Sequence, residues 1–341
     1  VEKLLEKVDD SRARLDKVSA LLKRFRQSVL AAACSGRLTA DWRKENPKIE
    51  SGPNLLNRIK HARSAAAVSA KDTRQIDAAF QVVQLTLDAS ELGVEQFPDS
   101  WAACQSGAIG SVVNGSTPSR MHDEYWNGKI PWVSSGEVRN NVISVTRERI
   151  TQSGYDSCSI HLLPRGSVLL AMIGEGKTRG QSAILQVEAT INQNIAAILI
   201  PHGLVLSEFL WRWFLFQYNA TREQGSGSGP QALNCQRVRE LPFVLPPLPE
   251  QREIVRRVEE LFALADRLET RVDKARGQVD KLTQSILAKA FRGELVPQDP
   301  NDEPAEKLLA RIRTKNERIT AKGDKATALA SIRSGRPRKS R

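Results

Sequence analysis

The sequence predicts an α+β protein, in which a β-rich central domain is flanked by two long helices that form an antiparallel coiled coil. One segment near the start of the chain is repeated near its end, and both copies carry a heptad pattern of apolar residues. Between the copies, short apolar segments alternate with Gly, Ser and Asn, as in β-rich domains. The expected organisation is a first helix (1–38), a helical connector (39–95), the β-rich domain (96–248), a second helix (249–295) and a short helix with a basic tail (296–341).

The internal repeat is the strongest of these signals. Residues 1–38 align without gaps to residues 258–295, and 14 of the 38 positions are identical. A weaker similarity continues beyond it, where Leu55-Leu56-x-Arg58-Ile59 corresponds to Leu308-Leu309-x-Arg311-Ile312. An arbitrary spacer has no reason to repeat its sequence. We therefore predict that the two helices are one structural element used twice.

Both helices carry apolar residues at the a and d positions of a heptad, eight of nine positions in the first copy and nine of nine in the second. This spacing is typical of a coiled-coil seam. The residues expected in the seam are Val8, Leu15, Leu22, Val29, Leu261, Leu268, Val272 and Leu282. The chain leaves one helix, builds a domain and returns into the other, which favours antiparallel pairing, within one chain or between two. Gly36 and Gly293 stand where helix C-caps are expected.

The connector and the central domain differ in composition. Helices are expected near 54–70 and 72–87 in the connector, whereas 13 of the 18 aromatic residues lie between Phe97 and Val244. The predicted strands of this domain are 109–113, 130–133, 167–172, 182–187 and 194–200. An amphipathic helix over 207–221 follows them, with Ser207 as its expected N-cap.

Charge and cysteine usage narrow the functional class. The formal net charge is +12. Residues 311–341 contain eleven Lys and Arg against two Asp and Glu, which suits either phosphate contacts or a solvated tail. Within that tail, residues 335–339 resemble an AT-hook core, although a generic basic terminus is the preferred interpretation.

The four cysteines and four histidines form no metal-ligand spacing, so no metal site and a reducing, cytoplasmic location are expected. No apolar segment is long enough to span a bilayer, and no membrane partner is expected.

One motif points toward an enzyme. Residues 171–178, Ala-Met-Ile-Gly-Glu-Gly-Lys-Thr, fit a relaxed phosphate-loop pattern after a predicted strand. A phosphate loop needs a helix beginning at its Lys-Thr, so that free N–H groups face the phosphates. Here another short apolar segment follows instead. A hairpin turn that presents polar side chains is the preferred interpretation, and a P-loop nucleotide hydrolase is kept as an alternative.

The succession of motifs through the middle of the chain resembles the DNA-specificity subunits of type I restriction-modification systems, over about residues 1–312. The motifs that carry the resemblance are Phe97-Pro98-Asp99-Ser100-Trp101, Gly115-Ser116-Thr117-Pro118, Tyr125-Trp126-Asn127-Gly128, Leu163-Pro164-Arg165-Gly166, Ile191-Asn192-Gln193-Asn194 and Leu245-Pro246-Pro247-Leu248-Pro249-Glu250-Gln251. The last of these, a proline-rich segment that enters a long helix, is the most specific.

The resemblance implies a target-recognition domain that reads one half of a split DNA sequence, held by helices that set the distance between halves. It implies that the chain is not itself an enzyme. It implies double-stranded DNA and two modification (methyltransferase) subunits as partners, with restriction (motor-nuclease) subunits bound indirectly. S-adenosylmethionine, ATP and Mg²⁺ are then expected on those partner subunits, and no cofactor in this chain.

Polar residues on the predicted turns are the candidates for DNA contacts, because amide and basic side chains read base edges. They are Ser116, Thr117, Lys177, Thr178, Arg179, Gln181, Gln231 and Asn234. No catalytic or metal-binding residue is predicted. Val1 aligns inside the repeat, so we expect the chain to lack an N-terminal recognition domain and to restore split-site reading through a self-dimer or a missing segment. A coiled-coil adaptor that does not read DNA is the remaining alternative.

Overall fold

The computed structural model describes residues 1–81, 96–174, 177–223, 232–297, 299, 301 and 303–317. The chain forms two compact units. The larger unit is Asp16–Asp273, and the smaller unit combines Val1–Leu15 with Lys274–Arg341. Each unit contains a part of both long helices. The predicted fold class, α+β with two long helices and a β-rich domain, is confirmed.

The described residues form eleven α-helices, most of them short. They are α1 (Glu2–Cys34), α2 (Ala40–Glu45), α3 (Gly52–Ala65), α4 (Ala70–Gln81), α5 (Ser106–Ile109), α6 (Gln152–Asp156), α7 (Ser207–Phe216), α8 (Tyr218–Glu223), α9 (Cys235–Glu240), α10 (Leu248–Phe291) and α11 (305–317). Short 3₁₀ turns occupy Arg37–Thr39, Asp123–Tyr125 and Ser135–Glu137. The second predicted connector helix begins as α4, but its predicted end at 87 lies outside the described residues.

Ten strands belong to the larger unit. They are β1 (Ala102–Gln105), β2 (Ser111–Asn114), β3 (Trp126–Val133), β4 (Asn141–Ile143), β5 (Glu148–Ile150), β6 (Val168–Ala171), β7 (Ser182–Leu185), β8 (Thr190–Ile191), β9 (Ile195–Leu199) and β10 (Pro242–Leu245). β1 pairs with β10, so the first and last strands of the domain meet. A five-stranded sheet has the order β2-β9-β6-β7-β4, and a three-stranded sheet has the order β5-β3-β8.

One core cluster of the larger unit lies between the five-stranded sheet and the helices, and another, which contains Leu169, Ala171 and Ala183, lies on the opposite face of the sheet. β6 and β7 are buried on both faces, which explains their uninterrupted apolar sequences. Phe209 and Trp213 of α7 pack edge-to-face on Phe243 of β10. The predicted N-cap of this helix is wrong. Leu206 is the N-cap, since its N–H donates to Gln251 Oε1 (2.8 Å) and holds it extended, and Ser207 is the first helical residue.

The long helices pair antiparallel, as predicted. In the larger unit, Arg26 donates to Asp266 Oδ1 (2.6 Å), and Arg257 donates to Asp41 Oδ1 (2.7 Å). Residue numbers thus rise along one chain segment as they fall along the other. In the smaller unit, Arg12 donates to Asp280 Oδ1 (2.9 Å). The 33 residues of α1 and the 44 of α10 correspond to about 50 and 66 Å of helix.

The seam differs from the prediction in one of its two rows. Val8, Leu22, Val29 and Val272, all at predicted a positions, are 4–7% exposed, whereas Leu15 and Leu261 are half-buried. Leu268 and Leu282, at predicted d positions, are 39% and 52% exposed and lie outside the seam. Half-buried residues four places after the a positions flank the a row, and they are Leu5, Arg12, Ser19, Arg26, Phe262, Glu269, Arg276, Thr283 and Ala290. The predicted d residues Ser11, Phe25, Leu261 and Ala275 are half-buried as well. Among the polar residues of the first group, Arg12 and Arg26 reach across to acidic residues of α10.

Both long helices end as predicted. Gly36 and Gly293 follow α1 and α10 with φ of 78° and 73°, the left-handed conformation in which glycine terminates helices. A Cβ on Gly36 would lie 2.5 Å from the ring of Pro98, at the start of the β-rich domain. Gly36 therefore allows the close approach as well as the turn.

The first turn of α10 joins the helices to the domain in the larger unit. Glu250 is fully buried and accepts hydrogen bonds from Thr39 Oγ1 (2.7 Å), Trp101 Nε1 (2.9 Å) and the Arg43 guanidinium. The neighbouring Gln251 is also fully buried, and its Nε2 donates to the Pro246 carbonyl at 2.8 Å. The two buried polar side chains that follow the proline-rich segment thus hold the start of α10 against the segment after α1 and against the β-rich domain.

Candidate nucleic-acid interface

One end of the five-stranded sheet gathers polar turns from distant parts of the sequence. β2 and β6 end there, at Asn114 and Ala171, and β4, β7 and β9 begin there, at Asn141, Ser182 and Ile195. We call the turns at this end the polar rim. It comprises residues 114–119, 139–141, 172–174, 177–181 and 192–194. The ranges 172–174 and 177–181 belong to the connection between the consecutive strands β6 and β7, and pairing between strands distant in sequence brings it together with the other three segments.

Hydrogen bonds between the turns fix the polar rim. The Ser116 N–H donates to the Ile191 carbonyl (3.1 Å), and the Met172 N–H donates to the Asn194 carbonyl (2.9 Å). Thr117 Oγ1 donates to Gln193 Oε1 at 2.5 Å. A Cβ at Gly115 would lie 1.7 Å from the Ile191 carbonyl oxygen, so only glycine permits this contact between the first and last turns.

Asn140 ties the turn before β4 to β7. Its backbone is left-handed, with φ of 57°, a conformation that asparagine tolerates better than most residues. Its Oδ1 accepts the N–H of Ser182 at 2.9 Å. Sequence reasoning missed this residue, although the Arg-Asn-Asn sequence at 139–141 is a recognisable turn signal.

The polar rim brings together most of the predicted DNA-contact residues. Lys177 is exposed, Ser116, Thr117, Thr178 and Gln181 are half-buried, and Arg179 is buried at 8% exposure. Asn234 lies next to the rim, because the adjacent Leu233 N–H donates to the Met172 carbonyl at 3.0 Å. Its Oδ1 caps α9 by accepting the Arg237 N–H (2.9 Å), which gives it a structural role. Gln231 lies outside the described residues.

A basic cleft adjoins the polar rim. Its volume is about 320 Å³, and Arg139, Asn141 and Arg147 are among its lining residues. Both arginines are exposed, and neither has a carboxylate within ion-pair distance in the part of the chain that the structure describes. Sequence reasoning did not select them. Their positive charge next to a row of amide side chains is the arrangement that suits a nucleic-acid backbone beside base edges.

Glu137 holds the basic cleft in shape. This carboxylate is 8% exposed. One oxygen accepts from the Ser134 N–H (3.0 Å) and hydroxyl (3.1 Å), and the other accepts from the Arg147 N–H (2.9 Å). The capping box formed with Ser134 shapes the 3₁₀ turn before Arg139. Glu137 thereby positions the backbone of both arginine-bearing segments.

The phosphate-loop alternative is not supported by local geometry. Residues 177–180 form a turn, and β7 begins at Ser182 and pairs antiparallel with β6. Lys177 and Thr178 thus stand in a hairpin connection rather than at a helix start. Tyr218 Oη donates to the Lys177 carbonyl at 2.6 Å and anchors the turn on α8.

The described residues contain no cluster of His, Cys, Asp and Glu that could hold a metal ion. Nor does any described helix combine the length and hydropathy that crossing a bilayer requires. Cys34 and Cys104 are buried, and burial raises the pKa of both thiols.

Comparison with known proteins identifies the family. The family described as type I restriction modification DNA specificity domain matches residues 98–275. The EcoDI specificity subunit of Escherichia coli is 32% identical over 97% of this chain and 68% of that protein. The EcoBI specificity subunit, also from Escherichia coli, is 28% identical over 96% of this chain and 63% of that protein.

The fold is shared with a chain from a solved structure of complex assembly in the type I R-M system. The TM-score is 0.50 at 17% identity, and the match covers 84% of this chain and 60% of that one. This chain therefore spans about 60–68% of the length of the proteins that it matches. The resemblance drawn from the motifs is confirmed. The chain belongs to the family of DNA specificity subunits of type I restriction-modification systems, which are the non-catalytic components of those enzymes.

Proposed function

We propose that this chain reads one half of a bipartite DNA target through the polar rim and the basic cleft. The observation that carries the proposal is the convergence of amide, hydroxyl and basic side chains from four separate connections at one end of a sheet. Amide side chains pair with adenine and arginine pairs with guanine or phosphate. The chain acts without chemistry of its own and brings other subunits to the site.

The proposal extends to the partners that would carry out the chemistry. We infer that two modification subunits dock on the long helices, and that restriction subunits join through them. Apolar side chains are left exposed on the helices, Val18 and Leu268 in the larger unit and Leu4 and Leu282 in the smaller unit, at 37–52%. On each helix these exposed apolar residues stand two heptads apart, and such residues suit packing by further helices.

The remaining expectations follow from this role. S-adenosylmethionine, ATP and Mg²⁺ would be held by the partner subunits, since the chain contributes recognition alone. The cytoplasm, where both chromosomal and incoming DNA are found, is the proposed location. Self-dimerisation through the helices would supply a second recognition domain.

A binding experiment tests the reading of DNA. The purified chain, alone and with the modification subunits of its own system, is used to select sequences from a random duplex pool. We expect enrichment of one short half-site, and a weaker preference after Arg139→Ala, by about 1–3 kcal/mol if the guanidinium contacts a base. Arg165→Ala is the matched control, because Arg165 is also exposed and precedes β6 at the opposite end of the sheet.

The outcomes separate the alternatives. Equal loss at all sequences with a smaller salt dependence assigns Arg139 to a phosphate contact within the same proposal. The absence of any enriched sequence in both preparations would reject DNA reading and favour the adaptor. Equal effects of Arg139→Ala and Arg165→Ala would reject the polar rim as the reading surface.

A further inference from the structure

The amide side chains of the polar rim differ in what they contact. Asn140, Asn141 and Asn192 each accept a backbone N–H through Oδ1, at 2.9, 2.8 and 3.1 Å, and thereby shape the turns that carry them. Gln193 is exposed, and its Oε1 accepts the hydroxyl of another side chain, Thr117, at 2.5 Å. Its Nε2 has no hydrogen-bond partner among the residues that the structure describes. Gln193 therefore keeps polar groups available to a ligand.

Backbone hydrogen bonds on both sides of Gln193 fix its place in the polar rim. The N–H of Asn192 donates to the Val133 carbonyl at 3.1 Å, and the carbonyl of Asn194 accepts the Met172 N–H at 2.9 Å. Asn192 is 7% exposed, so a buried residue precedes the exposed Gln193. The turn is thus held from β3 and from the end of β6, and the side-chain torsions of Gln193 remain to be fixed.

Thr117 fixes those torsions from a neighbouring turn. The Ser116 N–H donates to the Ile191 carbonyl (3.1 Å), and the Ser116 carbonyl accepts the Trp132 Nε1–H (3.1 Å). The half-buried Thr117 therefore extends from a restrained backbone when its hydroxyl donates to Gln193 Oε1. A flexible side chain that is ordered before binding loses less entropy on binding. The hydroxyl also selects one of the two amide orientations, the one with oxygen toward Thr117.

In this orientation the Gln193 amide matches one base better than the others. With one lone pair of Oε1 used by Thr117, the amide still offers an acceptor on oxygen beside the donors of its amino group. In the major groove, adenine presents the complementary pair, the N6 donor beside the N7 acceptor. Guanine presents two acceptors, so its O6 would face the Gln193 oxygen. Cytosine presents a donor and thymine an acceptor, so each could form one of the two hydrogen bonds.

We propose that Gln193 reads an adenine within the half-site, and that Thr117 is a positioning residue that holds the Gln193 amide. This role rests on the proposed reading of DNA through the polar rim and assigns one base to one side chain. Thr117 serves recognition through Gln193 and not through a base contact of its own.

Selection of duplexes from a random pool tests the assignment. The full chain is used together with the modification subunits of its own system. Gln193→Ala should reduce the preference for adenine at one position by about 5- to 150-fold, the equivalent of one bidentate contact, and leave the other positions unchanged. Gln186→Ala is the matched control, because Gln186 is also exposed and follows β7 at the opposite end of the sheet. It should leave every position unchanged.

Variants of Thr117 separate positioning from support of the fold. Thr117→Val keeps the shape of the side chain but removes the hydroxyl, so the Gln193 amide can turn over and present its amino group to guanine O6. The ratio of binding to adenine and to guanine at that one position should fall about fivefold, the equivalent of one hydrogen bond. Thr117→Ser keeps the hydroxyl and should retain the ratio. Equal losses at all positions in Thr117→Val would assign Thr117 to the fold alone and overturn its positioning role.

A base analogue tests the contact without any change to the protein. Replacing the assigned adenine by 7-deazaadenine removes the N7 acceptor and should weaken binding about fivefold, with no further loss in Gln193→Ala. The assignment is overturned, with the reading of DNA intact, if a half-site is enriched but Gln193→Ala changes no adenine position. It is also overturned if the losses from the analogue and from Gln193→Ala add. Failure to enrich any sequence would overturn both the assignment and the proposed reading of DNA.

Discussion

Replacing Glu250 by alanine is expected to destabilise the larger unit more than any change to the surface ion pairs of α10. The carboxylate is fully buried, and three donors from two segments converge on it, Thr39 and Arg43 after α1 and Trp101 at the start of the domain. Removing it leaves the Arg43 guanidinium, which is 21% exposed, and the two neutral donors without their acceptor. Breaking a buried ion pair by deleting one partner costs about 3–5 kcal/mol.

Two other variants, Glu253→Ala and Trp101→Phe, show how large the loss of unfolding free energy at Glu250 should be in comparison. Glu253→Ala removes ion pairs to Arg256 and Arg257 on the same helix. Pairs between partly exposed groups are worth about 0–1 kcal/mol. Trp101→Phe removes one neutral donor to Glu250, at a cost of about 1 kcal/mol, and the double variant measures the coupling between the two residues.

Urea unfolding followed by tryptophan fluorescence measures these free energies. The expected order of destabilisation is Glu250→Ala, then Glu250→Gln, then Glu253→Ala, because glutamine keeps the volume and one acceptor oxygen. The reasoning would be refuted if Glu250→Ala unfolded within about 1 kcal/mol of Glu253→Ala. It would also fail if Trp101→Phe and Glu250→Gln were additive, since residues that share a buried hydrogen bond should couple.

Two further predictions concern the long helices. Leu22→Asp places a charge at a seam position that is 7% exposed, and it should cost several kcal/mol of unfolding free energy. Leu282 is 52% exposed, so Leu282→Asp should cost less than about 0.5 kcal/mol and weaken only partner docking. Equal shifts in melting temperature for the two variants would contradict the placement of Leu22 in the seam and Leu282 outside it. Hydrogen bonds from Arg256 lower the pKa of Glu253 from 4.5 to about 2, so the stability that this carboxylate contributes is present above pH 4.5 and is lost as the pH falls toward 2. Glu253→Gln should flatten the acid-side fall in melting temperature, and Glu260→Gln, 64% exposed, should leave it unchanged.

The seam shows where sequence patterns stop being sufficient. Apolar residues occupy both the a and d positions, so composition alone favours the a/d seam. The structure keeps the a positions, but it exposes some d positions and half-buries residues four places after a, several of which are polar. A pattern of apolar residues does not record that Arg12 and Arg26 find acidic partners on the opposite helix. Leu268 and Leu282, at predicted d positions, are then left on the surface, where the sequence offered no reason to expect them.

The polar rim illustrates a different limit. Its turns were each recognisable from Gly, Asn and Ser next to apolar strands, and six of the eight predicted DNA-contact residues lie in it. Their convergence depends on the strand order β2-β9-β6-β7-β4, which pairs segments far apart in the chain. Local sequence carries no record of such pairings. Arg139 and Arg147 escaped selection for a different reason, because the hydrogen bonds of Glu137 bring them to one cleft and a local pattern of residue types does not record those bonds.

The register of the long helices is set at the junction with the domain and not by the ion pairs along the seam. Arg26 contacts Asp266 and Glu269, yet Asp273 and Glu259 stand one heptad away in either direction and could serve it equally well. Asp266 is also 69% exposed, so its pair contributes little free energy.

At the junction with the β-rich domain, the two long helices cannot slide along each other in this way. Glu250 is enclosed by donors from the segment after α1 and from the start of the domain, and a slide of one residue would bury it unpaired. Arg257 likewise donates to the Leu38 carbonyl and to Asp41 beyond the end of α1. If the helices measure the distance between two recognition domains, the measurement begins at Glu250. This accounts for a buried glutamate in the motif by which the sequence is most readily recognised.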